Sequence, residues 1–319
     1  MDCVTTRDRN LALLVVLLWG VNFLAIRAAL DVFPPFFLGA LRFLLIAIPV
    51  VIFIPRPQVQ WRWLLVYGLG FGVAQFAFLF AAMQAGMPTG LASLVLQSSA
   101  PFTVVLGTLF LGERIGGLQI GGLLLALAGM VTIGWDQAEH ATLLPVILTL
   151  LGGLGWAFGN IGSRLAQAPN PLHFMLWMSV IPPIPMLALS LTFEGPSAGL
   201  DGLTAVLGGH AWPALIGIAY IVLLGTIAGS GLWTGLLTRY PAASVAPFSL
   251  LVPIVGIGAS WLVLHEQPSA ATIVGGVVVI AGAAAATGAL RIRRRAAEIA
   301  AVPTGTDSNS NPVPVPARQ

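Results

Sequence analysis

From residue 10 to residue 290 the chain is a succession of apolar stretches, each about 20 residues long and each ended by a short polar break. A membrane supplies no water to bond exposed N–H and C=O groups, so only helices or closed barrels can cross it. At 1.5 Å per residue, about 20 residues span the roughly 30 Å hydrocarbon core as a helix, whereas barrel strands need only about 10. Ten such stretches occur, at residues 10–30, 34–54, 62–84, 89–111, 116–135, 143–165, 172–192, 212–238, 243–264 and 269–290. The expected fold is therefore an all-α membrane protein of ten transmembrane helices. Composition agrees: 8% of residues are charged and mean hydropathy is +0.94, where soluble domains carry about 25% charge. The start, "RDRNLALLVVLLW", has the basic and apolar regions of a secretory signal, but its apolar run continues to Leu30. That is too long for a signal core and fits a first transmembrane helix.

The net charge of +3 and pI near 9.7 do not point to a nucleic-acid partner, because the basic residues are not gathered into a patch. The chain has no lysine, and Arg7, Arg9, Arg56, Arg62, Arg114, Arg164, Arg239 and the cluster at 291–295 fall at the termini or at alternate breaks. Asp31, Asp136, Glu139, Glu194, Asp201 and Glu266 occupy the other breaks, with Arg27 the basic exception, placed to snorkel. Positive charge collects on the cytoplasmic side, so both termini are expected in the cytoplasm. The tail over 296–319 is polar and Pro-rich, a composition that favours disorder. The Gly-rich break from Glu194 to His210 is expected outside, with room for a short surface helix. The bilayer and a small-molecule substrate are the expected partners; oligomeric state is open, a homodimer among the alternatives.

The polar break "WDQAEHA" divides the spans five and five, and the halves match in order. Trp19 precedes Arg27 by eight residues in the first span, as Trp156 precedes Arg164 in the sixth. Pro101 precedes Glu113 by 12 residues in the fourth span, and Pro253 precedes Glu266 by 13 in the ninth. The fifth span carries "IGGLLLALAG" and the tenth "VGGVVVIAG". The chain thus reads as two repeats, 10–135 and 143–290. An odd number of spans per repeat makes the second enter the membrane from the opposite side, and inverted repeats of this kind characterise secondary transporters.

Polar residues inside the spans are the candidates for function. A helix-breaking proline in lipid survives only where protein or a watery cavity satisfies the freed backbone groups, which marks Pro101, Pro247 and Pro253 as helix breaks or gating points. Gln97, Ser98 and Ser99 stand one turn before Pro101, and either bond a ligand or serve as interhelical glue. Arg42 lies eight residues into its span, roughly 12 Å deep. A charge at that depth costs at least about 2.5–3.5 kcal/mol and is a functional hypothesis by default. It is either the counter-ion of a substrate carboxylate or a structural bond to carbonyls. Asn22 and Asn160 follow Trp19 and Trp156 in corresponding spans, which suggests two walls of one cavity. Gln75 and Trp233 occupy mid-span positions that suit binding or plain packing. Phe76, Phe78 and Phe80 read as core or lipid contacts.

Catalysis and cofactors find no support. Every aspartate is in a break or terminus, which excludes the facing pair of an intramembrane aspartyl protease. "HEQPS" lacks the second histidine of H-E-x-x-H, the four histidines have no metal-ligand spacing, and no Walker-type phosphate loop occurs. The single Cys3 excludes disulfides and thiol redox pairs. A lipid-modifying enzyme is the distant alternative, disfavoured by the lack of a catalytic pair within the spans.

The runs "LLWGVNF", "LRFLLIAIPV", "GLASLVLQSSAPFTVVLGTLFLGERI" and "APFSLLVPIVGIGASWLVLHE" resemble the EamA family of the drug/metabolite transporter superfamily. "AQFAFLF", "GMPTGLASLVLQ" and "RYPAASVAPFSLLVP" resemble its branch that exports cysteine and O-acetylserine across the bacterial inner membrane. The likeness covers about residues 10–290. It implies export of amino acids or their metabolites through a central cavity between spans one to four and six to nine, with the fifth and tenth at the periphery. It also implies that Gln97–Pro101 and the counterpart segment line that cavity. "HEQP" departs from the glycine or aspartate usual before the second glutamate, and other family members export aromatic amino acids or drugs, so substrate identity stays open.

Overall fold

The computed structural model describes residues 5–112, 116–140, 143–209, 211–239 and 248–286. Cys3, Glu113, Arg114, Pro247 and the tail 296–319 lie outside the described residues. Among those described, the secondary structure is helical throughout. The elements are α1 (Thr6–Leu30), α2 (Pro35–Phe53), α3 (Trp61–Gln84), α4 (Thr89–Leu111), α5 (Gly117–His140), α6 (Leu144–Ala166), α7 (Pro171–Phe193), α8 (Ala198–Leu207), α9 (Trp212–Leu236), α10 (Val252–Leu264) and α11 (Ala270–Ala286). Seven of them, α1 to α4, α6, α7 and α9, are long and apolar enough to cross a membrane. The apolar parts of α5, α10 and α11 are shorter within the described residues. Side chains such as Phe53, Leu109, Leu191 and Val277 face outward without cover, a surface that suits lipid and would aggregate in water.

Four of these helices are not regular. A π-helical segment, Gly68–Ala74, interrupts α3 and another, Tyr220–Ala228, interrupts α9. A 3₁₀ turn at Leu96–Ser98 divides α4, and residues 179–182 break α7 ahead of Pro183. Pro101 lies in the first turn of the second part of α4, and Pro253 in the first turn of α10. The N–H groups of a first turn have no intrahelical partner, so proline costs nothing there. Both prolines thus stand beside a break, each in the first turn of the helix that follows it.

Small residues set how closely the helices approach, as expected where lipid offers no hydrophobic drive between them. α3 crosses α6 at Gly70, Gly155 and Gly159; a Cβ on Gly70 would stand 2.7 Å from the Gly159 nitrogen. α5 pairs with α11 along their length, and a Cβ on Gly129 would stand 2.7 Å from the Gly275 carbonyl oxygen. α1 packs on α9 and α10, α4 on α6 and α10, and α2 on α7. α8, in the Gly-rich break, is anchored: Gly202 lies against Phe33, and Gly199 against Phe37.

Two carboxylates fasten helix starts across the chain. Glu194 accepts hydrogen bonds from the backbone N–H of Phe36 (2.6 Å) and Phe37 (3.0 Å) at the start of α2. Glu266 accepts from Thr89 N–H (3.0 Å) and Gly90 N–H (3.1 Å) at the start of α4. Both satisfy orphan donors and place negative charge at the positive end of a helix dipole.

Candidate functional site: a cavity with one buried guanidinium

The irregular parts of α3, α4 and α9, together with α1, α2, α6 and α7, line a cavity of about 300 Å³. Trp19, Asn22, Arg42, Gln75, Gln97, Trp156, Asn160 and Trp233, picked from the sequence as scattered polar or aromatic positions, all line it. Pro101, Pro253, Ser98 and Ser99 do not, so of the segment around Gln97 only Leu96 and Gln97 reach the cavity. The counterpart segment contributes Ser249 and Val252. Lining residues reach the helix ends at Ser163 and Pro171, beside Arg164, but stop at Ile26, Leu79 and Ser93 toward the other side.

Arg42 is 4% exposed. Its Nη2 donates to Thr226 Oγ1 at 2.8 Å, and Thr226 Oγ1 in turn donates to Ile221 C=O at 2.8 Å, a bond spanning five residues of the π segment in α9. The guanidinium carbon stands 3.8 Å from the centroid of Phe76 and 5.2 Å from that of Phe43. Such cation–π contacts contribute about 0.5–2 kcal/mol and leave the guanidinium edges free. Nε and Nη1 are buried and have no partner. An unmade bond on a buried polar group costs about 1–3 kcal/mol, so these two donors favour an acceptor, whether water or ligand. Nη2 keeps a second N–H, which pairs with either Nε or Nη1 to offer the two-pronged geometry a carboxylate accepts. Among the described residues, Arg42 is also the only charged one lining the cavity.

The remaining walls divide into fixed and unfilled groups. Trp19 Nε1 donates to Gly225 C=O at 3.0 Å, and its ring meets Trp233 at 5.3 Å between centroids. Gln97 Nε2 donates to Ser249 C=O at 3.2 Å, and Asn160 Nδ2 to Thr103 Oγ1 at 3.1 Å. Phe71 packs edge-on against both Trp156 and Phe76. The side-chain oxygens of Asn22 and Gln75 are buried without a partner. Arg27 stays outside this site, paired with Asp31 at 3.3 Å and half exposed. Among the described residues no cluster of His, Cys, Asp and Glu could hold a metal.

Three contributors escape the sequence reading. Phe76, expected as core or lipid contact, forms the face on which Arg42 rests. Thr226 and Gly225 sit in "LLGTIAGSG", where a lone threonine and a glycine look like ordinary transmembrane packing. Polar and small residues in one span facing a buried charge in another are the available signal, but the spans pair only in the fold.

A description of the EamA-like transporter family matches residues 10–135 and 143–288. The chain belongs to this family. An Escherichia coli K12 protein named "Probable amino-acid metabolite efflux pump" is 39% identical over 285 residues, covering 88% of this EamA chain and 94% of the relative. A Salmonella typhimurium protein of the same name is 38% identical over 299 residues, covering 92% and 99%. A solved crystal structure, 20% identical, superposes with a TM-score of 0.60 over 91% of this chain and 99% of the other, a likeness of fold alone. With its apolar helices and this membership, the EamA protein is a multi-pass membrane protein.

Proposed function

We propose that this EamA transporter is a secondary exporter of small amino acids or amino-acid metabolites, working by alternating access across the inner membrane. The observation that carries this reading is Arg42: a buried guanidinium in a central cavity, with unpartnered donors and, among the described residues, no carboxylate beside it. The names of the Escherichia coli and Salmonella relatives agree with the substrate class and supply the direction.

In this reading ten spans form two inverted repeats, 10–135 and 143–290. Supporting it, α1 packs on α9 as α6 packs on α3, and α1 on α10 as α6 on α4. A twofold axis in the membrane plane exchanges these pairs. The π segments fall in the third and eighth spans, corresponding members of the two halves. Both termini and the arginine-rich breaks face the cytoplasm. The cavity then opens inward past Ser163 and Pro171, while Glu194 and Glu266 hold the outer helix ends together.

Export of aromatic or drug-like compounds is the second reading, favoured by the rings of Trp19, Phe71, Trp156 and Trp233 in the wall. Flux measured with purified protein in liposomes separates the two. Small amino acids are expected to move, with transport per folded molecule falling in the order wild type, Arg42→Lys, Arg42→Gln, since lysine keeps charge and loses the fork. If only an aromatic amino acid or a dye moves, indifferent to both changes, the second reading replaces the first.

A further inference from the structure

We infer that Asn22 and Gln75 form an ammonium subsite beside Arg42, so that the cavity selects zwitterions with a free α-amino group and an uncharged side chain. This rests on the reading of Arg42 as the carboxylate's partner. The two side chains are 9% and 3% exposed, line the cavity, and carry buried carbonyl oxygens with no donor. Adjacent residues tie them to Arg42. Gly225 lies against the Asn22 amide, and the next residue, Thr226, accepts the Arg42 hydrogen bond. Gln75 precedes Phe76, the ring beneath the guanidinium. Asn22, Gln75 and Arg42 thus line one cavity of about 300 Å³, in which the two acceptors and the guanidinium can engage a single small ligand.

The acceptors are neutral for a physical reason. A carboxylate beside Arg42 would pair with it and close the anion site; an amide oxygen accepts from an ammonium without competing for the guanidinium. Trp19 and Trp233 also line the cavity, and aromatic rings attract cations over their faces. The terminal torsions of Asn and Gln are broad and roughly two-fold, so a half-turn brings either oxygen to the cavity surface. Arg42 is the one charged lining residue among those described, so a second carboxylate or second ammonium on a substrate meets no counter-charge there. A Cβ on Gly225 would press on the Asn22 amide and displace it from its present position.

The full-length protein reports binding through its own cavity tryptophans. Quenching is titrated with alanine, serine, cysteine and O-acetylserine, then with the N-acetylated and deaminated analogues of the tightest binder. The analogues keep the carboxylate and are expected to bind at least about tenfold more weakly, because a site built for a donor rejects a ligand lacking it. Glutamate and lysine are expected not to compete. Gly225→Ala and Gln75→Leu should each shrink the preference for the amino acid over its deaminated analogue, whereas Arg42→Gln should weaken both ligands alike. If the deaminated acid binds wild-type protein as tightly as the amino acid while Arg42→Gln still weakens both, the ammonium subsite is overturned and the role of Arg42 stands. If no amino acid binds and Arg42→Gln changes nothing, the transport reading falls first. The wild-type series needs no variant to fold.

Discussion

Glu266→Gln is the sharpest perturbation of the fastening between α10 and α4. The carboxylate divides its oxygens between two backbone donors at 3.0 and 3.1 Å, at the start of a helix that reaches the cavity. A hydrogen bond to a charged group contributes about 1.5–3 kcal/mol and a neutral one about half that. The helix dipole adds about 0.3–1 kcal/mol for negative charge at this end. Glutamine offers one oxygen for two donors, so one bond and the charge are lost. Allowing for the partial exposure of Glu266, the net loss is about 2 kcal/mol, roughly thirtyfold in the equilibrium between fastened and parted helix ends.

Ser93 reads that equilibrium. It is 1% exposed, packs against Gly256 of α10, and lies one turn inward from Gly90, whose carbonyl accepts its hydroxyl hydrogen bond at 2.6 Å. With Cys3 replaced by serine, Ser93→Cys leaves a single thiol, shielded while the ends are fastened. Glu266→Gln is expected to raise its labelling by an impermeant maleimide about ten- to thirtyfold, when the reagent is applied on the Glu266 side. Unchanged labelling together with a lowered melting temperature would show the carboxylate to be a static helix cap and refute its role in a moving contact.

Three further outcomes are expected. Gly282→Val drives a side chain into the backbone of Ala126; at about 1–3 kcal/mol for overpacking it should lower the melting temperature and folded yield, yet leave ligand quenching intact, since neither α5 nor α11 lines the cavity. Trp19→Phe removes the hydrogen bond to Gly225, worth about 1 kcal/mol, and should weaken amino-acid binding about fivefold while preserving the fold, measured by titration of the remaining tryptophan signal. Reporter fusions after Arg56, Asp136 and Gly202 should read in, out and out; a cytoplasmic signal at Gly202 would contradict the inverted arrangement.

The sequence by itself determined that the chain crosses a membrane repeatedly and where each long helix lies, because lipid forces every backbone group to bond within its own segment and hydropathy alone then marks the segments. Arg42 was conspicuous for the same reason, since a charge at that depth is costly wherever the helix goes. Only the tertiary structure decided what Arg42 meets. Thr226 is 184 positions away, and Phe76 belongs to a row of phenylalanines that looks like any apolar face. The π segments, and the contact of Gly225 with Asn22, were equally hidden. Lipid solvation acts on each residue separately and can be read along the chain, whereas a binding site depends on which helices touch, and that is fixed by close packing between segments distant in sequence.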